Sequence, residues 1–543
     1  MAMDSDHATN EEREALLGTA LPREPYRRKS TRERPLIFVL LCVLIVFCID
    51  FGSNLTLAPQ TRIYESIACR NYYEKHEPDR SQLWKGEDIP EEECKIKPVQ
   101  SELVFVQGLQ ASFEALPSIL LSVPYGRLAD SARYGRKLTL VLAVIGALLS
   151  QYWVMLACWF SGVIPFRAVW FGSTFLIIGG GSGMATAILT TMISDVVEPK
   201  LRSTAFFQTT LSIVVAQFAA PLVSSWMMLK GSPWIPLFLG VLIASLGTPL
   251  LLILPETVHL RKTKKLQPST LQNQDASDDD DDAEESPQPP PDKHSRHHLN
   301  HLLQRLHRGF ISIVPNRTTA LILCAFFVTS ISSKQLGILL NYISTRYGIP
   351  LSKANFALAI FAGVNIFLLL VFLPAVSRYL TVNRRYPSTS KDLILVRYSI
   401  TMFTVGAFCM AVAPTLGTMI AALVIYTMGT GFNALNLSLV STFVEPKHIA
   451  RLYSVISAIS MLGVFAGSPL LAALFTLGAD IGKGWVGLPF FGTTVLYGVV
   501  WIAVWTIRIP EKTDGDPAIE DGEDTVHEVE TPSRSSPLRY TDD

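Results

Sequence analysis

The chain has 543 residues, of which 49% are hydrophobic and only 17% charged, with a mean hydropathy of +0.32; soluble domains carry about 25% charge, so the main solvent here is lipid. Lysine plus arginine and aspartate plus glutamate balance at 46 each, which leaves no global basic field for nucleic acid, and abundant aliphatic and aromatic residues exclude a disordered chain. Seven cysteines in so long a chain do not make a disulfide scaffold.

Residues 1–34 form a polar tail with basic residues gathered between Arg27 and Arg34. An apolar run follows from Pro35 to about Pro59, too long for the core of a cleaved signal peptide and long enough to span a bilayer. Further runs of spanning length lie near 101–125, 138–160, 166–194, 203–229 and 233–255, then near 317–343, 352–377, 393–413, 415–443, 449–476 and 485–508. The reading is an all-α membrane protein with twelve transmembrane helices in two groups of six. They occupy residues 35–255 and 317–508, with a hydrophilic central loop at 256–316 and an acidic tail at 509–543. Continuous runs of this length exclude a membrane β-barrel, whose strands alternate over about 10 residues.

Lysines and arginines in short loops set the orientation. With the N-terminus inside, the inner loops hold Arg127, Arg133, Arg136, Lys137, Lys200 and Arg202, then Arg378, Arg384, Arg385, Lys391, Lys447 and Arg451. The short outer loops hold only Arg167, Lys230, Arg346, Lys353 and Lys483. Both termini and the central loop are therefore expected in the cytoplasm, although the long loop from Gln60 to Gln100, expected outside, also carries basic residues among its acidic ones.

The two groups of six resemble each other. Ser194–Lys200 reads SDVVEPK and Ser441–Lys447 reads STFVEPK; Gly181 and Gly183 match Gly429 and Gly431; Ala216, Ala220 and Pro221 match Gly463, Gly467 and Pro469. All recur at a near-constant spacing, as expected of a duplicated six-helix unit whose two copies enclose a cavity near the membrane midplane.

The loop after the second span reads Gly126-Arg-Leu-Ala-Asp130-Ser-Ala-Arg133-Tyr-Gly135-Arg136-Lys137. It is a tight basic turn with one carboxylate; Gly126 would let another helix approach, and Asp130 can accept from helix-end donors or a guanidinium. The pattern resembles the major facilitator superfamily signature G-x-L-A-D-R-x-G-R-K, with Ser131 and Ala132 additional after the aspartate. With twelve spans and a duplicated half, the resemblance covers about residues 35–508. It implies the fold of that superfamily and rocker-type alternating access, with Asp130 and Arg133 in the inner gate. Val197-Glu198-Pro199-Lys200-Leu-Arg202 is similar to the family's acidic-proline-arginine element; Glu198 and Arg202, four apart, can pair on one helix face, whereas Glu445 and Arg451 are six apart. Either these residues form a salt-bridge latch or they are solvated helix ends.

The small-residue stretches Ala216-x-x-x-Ala220-Pro221 and Gly463-x-x-x-Gly467-Ser-Pro469 permit close packing and a kink. They resemble, in weakened form, the fifth-span motif of drug–proton antiporters. Ile177 stands where those antiporters carry a buried arginine, so any proton coupling here needs another group.

Ionisable residues inside spans are functional candidates, because burying charge is costly. Glu114 lies halfway through the second span, Asp50 well into the first, and Lys334 at the matching depth of the seventh. The resemblance implies that the first and seventh spans line the cavity, where Asp50 and Lys334 could face each other. A desolvated carboxyl can load and release a proton, so Asp50 and Glu114 are candidates for coupling or substrate contact; the alternative for Asp50 is a structural ion pair with Lys334 or a place at the outer interface, and for Glu114 a neutral acid hydrogen-bonded to a helix backbone. Asn341, Asn433 and Asn436 could contact substrate or join helices.

Cys69 and Cys94 share the long outer loop and could form a disulfide there. The loop's start, from Gln60, resembles that of fungal transporters of the superfamily and, more loosely, proton-coupled folate transporters. In the central loop, Asp278–Asp282 reads as a solvated linker. Leu299, Leu302, Leu303 and Leu306 have the spacing of a basic helix on the inner leaflet, and His297 and His301 lack a third metal ligand. No P-loop pattern is present, which argues against an ATP-driven pump, and no cofactor or enzymatic activity is expected.

The expected function is secondary transport of a small organic molecule, read here as proton-coupled efflux of a metabolite or toxic compound by a monomer. Proton-coupled uptake and a non-transporting sensor are the alternatives. The plasma membrane is the expected site, with vacuolar or endosomal membranes as alternatives.

Overall fold

The computed structural model describes residues 34–79, 89–131, 133–197, 201–257, 317–384, 386–441 and 449–506. Among them are twelve helices long and apolar enough to cross a membrane, and no strand. In chain order they are α1 (Arg34–His76), α2 (Lys97–Asp130), α3 (Gly135–Trp159), α4 (Phe166–Val196), α5 (Arg202–Lys230) and α6 (Trp234–Ile253), then α7 (Ala320–Tyr347), α8 (Leu351–Asn383), α9 (Ser388–Val412), α10 (Leu416–Val440), α11 (Ile449–Ile481) and α12 (Leu488–Thr506). A helix satisfies every backbone group within its own segment, without water or a neighbouring strand, which is why continuous apolar runs fold this way in lipid.

Three of these helices differ from the sequence reading. α1 does not stop at Pro59 but continues through it to His76. Ile63, Tyr64, Ile67, Ala68 and Cys69 recur at helical spacing and are buried in one apolar cluster with Cys94, Leu103 and Val169, so the polar residues between them occupy other faces of the same helix. α7 is interrupted at Lys334, which separates Arg317–Ser333 from Gln335–Tyr347. α4 is a 3-10 segment, Phe166–Ile178, joined to the α-helix Gly181–Val196 through Gly180 and Gly181 at positive φ.

The packing repeats. α1 packs on α5 and α6, and α3 on α4 and α6; in the second set α7 packs on α11 and α12, and α9 on α10 and α12. The two sets meet mainly along α2 against α11 and α5 against α8. The small residues singled out above sit at such seams: a Cβ on Gly467 of α11 would come within 2.7 Å of the Ile331 Cα on α7. Without a hydrophobic driving force between helices in lipid, that close approach is what holds the pair together.

Candidate functional site

A cavity of about 310 Å³ lies between the two sets of helices. Much of its lining is apolar, Leu57, Val104 and Ile338 among it, but polar side chains gather on it: Gln60, Thr61 and Tyr64 from α1, Gln107, Gln110 and Glu114 from α2, Gln151 from α3, Lys334 from α7 and Ser468 from α11. Helical geometry accounts for the grouping, since Gln60 and Tyr64, and Gln107, Gln110 and Glu114, stand three and four residues apart and so share a face. Lys334 enters at the break in α7.

The polar groups are connected. Gln151 Nε2 donates to Gln60 Oε1 at 3.1 Å, Gln60 Nε2 to Tyr64 Oη at 3.0 Å, Tyr64 Oη to Gln110 Oε1 at 2.8 Å, and Gln110 Nε2 to Glu114 Oε1 at 2.9 Å. A second link crosses between the sets: Asn341 Nδ2 of α7 donates to Gln107 Oε1 at 2.6 Å, and Gln107 Nε2 to Thr61 Oγ1 at 3.1 Å. Lys334 is close enough to act electrostatically on Glu114, with no ion pair between them among the described residues. A charge taken out of water is tolerated only when it is hydrogen-bonded or paired, and the carboxyl of Glu114 has both an amide donor and a nearby cation.

The other sequence candidates are distributed around this cavity. Asp50 is half-buried, does not line it, and lends its backbone carbonyl to Asn54 Nδ2 at 2.8 Å. Lys334 therefore shares the cavity with Glu114 rather than facing Asp50 across it. Asn433 is exposed and accepts from Thr329 Oγ1 at 3.1 Å, whereas Asn436 is buried with both amide atoms unpartnered among the described residues. Cys69 and Cys94 are joined in a disulfide, their Cα atoms 5.4 Å apart, which ties the 3-10 turn Glu91–Cys94 to α1.

The α2–α3 turn is built differently from its sequence reading. Arg136, 2% exposed, rather than Arg133, holds Asp130 at 3.3 Å and also pairs with Asp195 at the end of α4. Arg133 is exposed and lies over the Tyr134 ring. Gly126 packs against no helix, since a Cβ there would meet nothing within 4 Å. Gly135 has φ +77°, and Glu256, just beyond α6, accepts from the Arg136 and Lys137 backbone N–H groups at 3.1 and 3.0 Å. That carboxylate caps the positive end of α3. Glu198 and Glu445 lie outside the described residues, as does the side chain of Arg451; Arg202 Nε donates to the Val197 carbonyl at 3.3 Å.

A sequence model of the Major Facilitator Superfamily matches residues 97–390. The chain belongs to the Major Facilitator Superfamily. It is 32% identical over 477 residues to the MFS efflux pump atnC of Emericella nidulans, covering 87% of this chain and 88% of that protein. It is 27% identical to the efflux pump ustT of Aspergillus flavus, covering 93% and 97%. Among solved structures, a D-xylose–proton symporter superposes with a TM-score of 0.58 at 14% identity, covering 87% of this chain and 97% of that one, and the human organic anion transporter MFSD10 with 0.54 at 15%, covering 87% and 99%. The protein is a multi-pass membrane transporter and not an enzyme.

For a transporter with two packed halves, the contacts between them define which side is shut. The hydrogen bonds that join described residues of the two sets run from the Cys69–Cys94 end to the middle of α2 and α11. Lys97 Nζ donates to the Asp480 carbonyl, Thr345 Oγ1 to Gln100 Oε1, Leu351 N to Glu91 Oε1, Asn355 Nδ2 to the Pro221 carbonyl and Ser112 Oγ to the Phe465 carbonyl. Behind Glu91 and Gln100 stands a charge cluster that sequence reading missed: Glu65, fully buried, accepts from Lys95 at 2.6 Å, Gln100 at 2.6 Å and Arg62 at 3.1 Å, and Lys95 also holds Glu91 at 2.9 Å. Its residues belong to a stretch whose average polarity reads as loop; only the spacing of the apolar residues between them signals helix. Asp195 and Glu256 were missed for another reason, being ordinary acidic residues at span ends. A signal existed for the second: Pro255-Glu256 recurs as Pro510-Glu511 after the last span.

Proposed function

We propose that this transporter exports a small, polar organic molecule from the cell by alternating access, with a proton on Glu114 as the coupling ion. The observation that carries the reading is a carboxylate and an ammonium brought to one amide-lined cavity by opposite halves, Glu114 on α2 and Lys334 on α7. When the halves rock, those two groups separate, so the affinity for a proton or for a charged substrate group changes with the state of the cavity. Export is supported by the efflux pumps among its fungal relatives, and the basic short loops support an orientation with the Cys69–Cys94 side facing out. The plasma membrane is the site this direction requires. All twelve helices and the cavity come from one chain, which supports a monomer as the working unit.

Glu114→Gln is expected to abolish gradient-driven flux while leaving substrate exchange intact; a variant with unchanged pH dependence would overturn the coupling role. Direction is tested by comparing intracellular and medium metabolites after deletion of the gene. Accumulation inside is the expected outcome; depletion would mean uptake, and an unchanged metabolite profile would favour a sensor.

A further inference from the structure

We infer that Gln151, Gln60, Tyr64 and Gln110 form a switchable hydrogen-bond relay that carries the protonation state of Glu114 to the amide of Gln151, on α3 in the cavity lining. The inference rests on the proposal that Glu114 takes up the coupling proton.

The relay runs one way. Every donor in it points toward Glu114, from Gln151 through Gln60, Tyr64 and Gln110. Amides have one donating and one accepting end, a phenol does both, and an ionised carboxylate only accepts. An ionised Glu114 at the end of the row therefore fixes the polarity of every member before it. When the proton from the aqueous side is taken up on Oε1, the oxygen that accepts from Gln110, one new O–H bond forms and that oxygen becomes a donor confronting the amide N–H of Gln110, whereas a proton on Oε2 would leave the row as it is. The conflict is removed by a half-turn of the terminal torsion of Gln110, which is roughly two-fold and exchanges N and O in place. Gln110 Nε2 then donates to Tyr64, Tyr64 to Gln60 Oε1, and Gln60 Nε2 to Gln151 Oε1. No other covalent bond changes.

Burial of its central member couples the two ends of the relay, whose other members are half-buried on the cavity. Tyr64 is fully buried, so water cannot replace a missing partner, and two donors left facing each other in such surroundings cost a full desolvation penalty. The consequence appears at Gln151, which lines the cavity. With Glu114 ionised, its amide spends a donor on the relay and keeps its carbonyl for a ligand; with Glu114 protonated it spends the carbonyl and keeps its N–H groups. A substrate hydroxyl or N–H is favoured at Gln151 in the first state and a substrate carbonyl or carboxylate in the second.

The charged and titratable groups around Glu114 are few. Lys334 faces it from α7 and Tyr64 from α1. α3 contributes Gln151, and the Cys158 thiol in the apolar cluster around Tyr64. α11 contributes Ser468, and α4 packs Trp170 on Phe113, neither of them charged.

The test needs no substrate: infrared difference spectra of the purified transporter in liposomes, recorded through a pH titration. The expected result is a carboxylic-acid band that Glu114→Gln removes, accompanied by side-chain amide bands of glutamine. Tyr64→Phe keeps the carboxyl band and loses the amide contributions of Gln60 and Gln151, leaving that of Gln110. Gln60→Met, which spares the phenol, loses the same contributions. A role for Tyr64 in packing alone would leave the amide bands coupled to the carboxyl band. Amide bands undiminished in both variants, or a carboxyl band with no amide bands in the wild type, would overturn the relay and leave the proton site standing. A wild type without the carboxyl band would overturn both.

Discussion

Arg136 is the residue on which the α2–α3 turn depends. Its guanidinium is almost wholly enclosed and serves Asp195 and Asp130, while its backbone N–H is taken by Glu256. Removing one partner of a buried pair leaves the other charge uncompensated, at a cost of about 3–5 kcal/mol. Arg136→Ala is therefore expected to lower stability by that amount, read from thermal unfolding followed by tryptophan fluorescence in detergent. Arg136→Lys recovers only part, because a single ammonium does not replace a planar fork with several donors. A loss below about 1 kcal/mol would show that the pair behaves like a solvent-exposed one. The basic, glycine-flanked pattern made this turn legible in the sequence, and the scarcity of charge inside spans singled out Glu114. The sequence does not say which arginine turns inward. That choice is made by Asp195 and Glu256, acids at the ends of α4 and α6 that nothing in the local pattern ties to position 136.

At the scale of an element, hydropathy located all twelve helices but misjudged where α1 ends. A window average treats residues 60–76 as polar loop, yet the buried residues Ile63, Tyr64, Ile67 and Ala68 form one helical stripe, and the charges between them are satisfied by partners brought in from Glu91–Gln100. The extension matters because it carries half of the cavity relay, Gln60 and Tyr64, and the anchor of the Cys69–Cys94 bond. That bond spans a sequence separation of 25 and closes a loop of a size for which cross-linking is worth about 3 kcal/mol. Cys69→Ser with Cys94→Ser is expected to unfold at lower temperature by a corresponding margin and to be indifferent to reductant, whereas the wild type should fall to the same level on reduction. Coincident wild-type curves with and without reductant would show that the turn is held by the Glu65 cluster alone.

At the scale of the whole molecule, the two halves repeat each other's helix packing but not each other's polar residues. The glutamines of the cavity all come from α1, α2 and α3, while α7 supplies Lys334 to it and, from behind the wall, Asn341 to Gln107. A tandem repeat seen in sequence predicts the shared architecture; it cannot predict this division, because the positions that face the cavity are the ones free to differ once packing is satisfied. The division also makes the closed side testable. Gln100 of α2 and Thr345 of α7 meet at 3.0 Å on the Cys69–Cys94 side, and alternating access requires them to part in every cycle. A Gln100→Cys, Thr345→Cys transporter oxidised to a disulfide is expected to lose transport and regain it on reduction. The Thr345→Cys single variant should keep most of its activity, the Gln100→Cys single variant sets the reference for the lost bond to Glu65, and the wild type treated with the same oxidant and reductant controls for the native bond. Full transport by the cross-linked protein would mean that the seam between α2 and α7 stays shut throughout, and that substrate leaves by a path other than the parting of the halves.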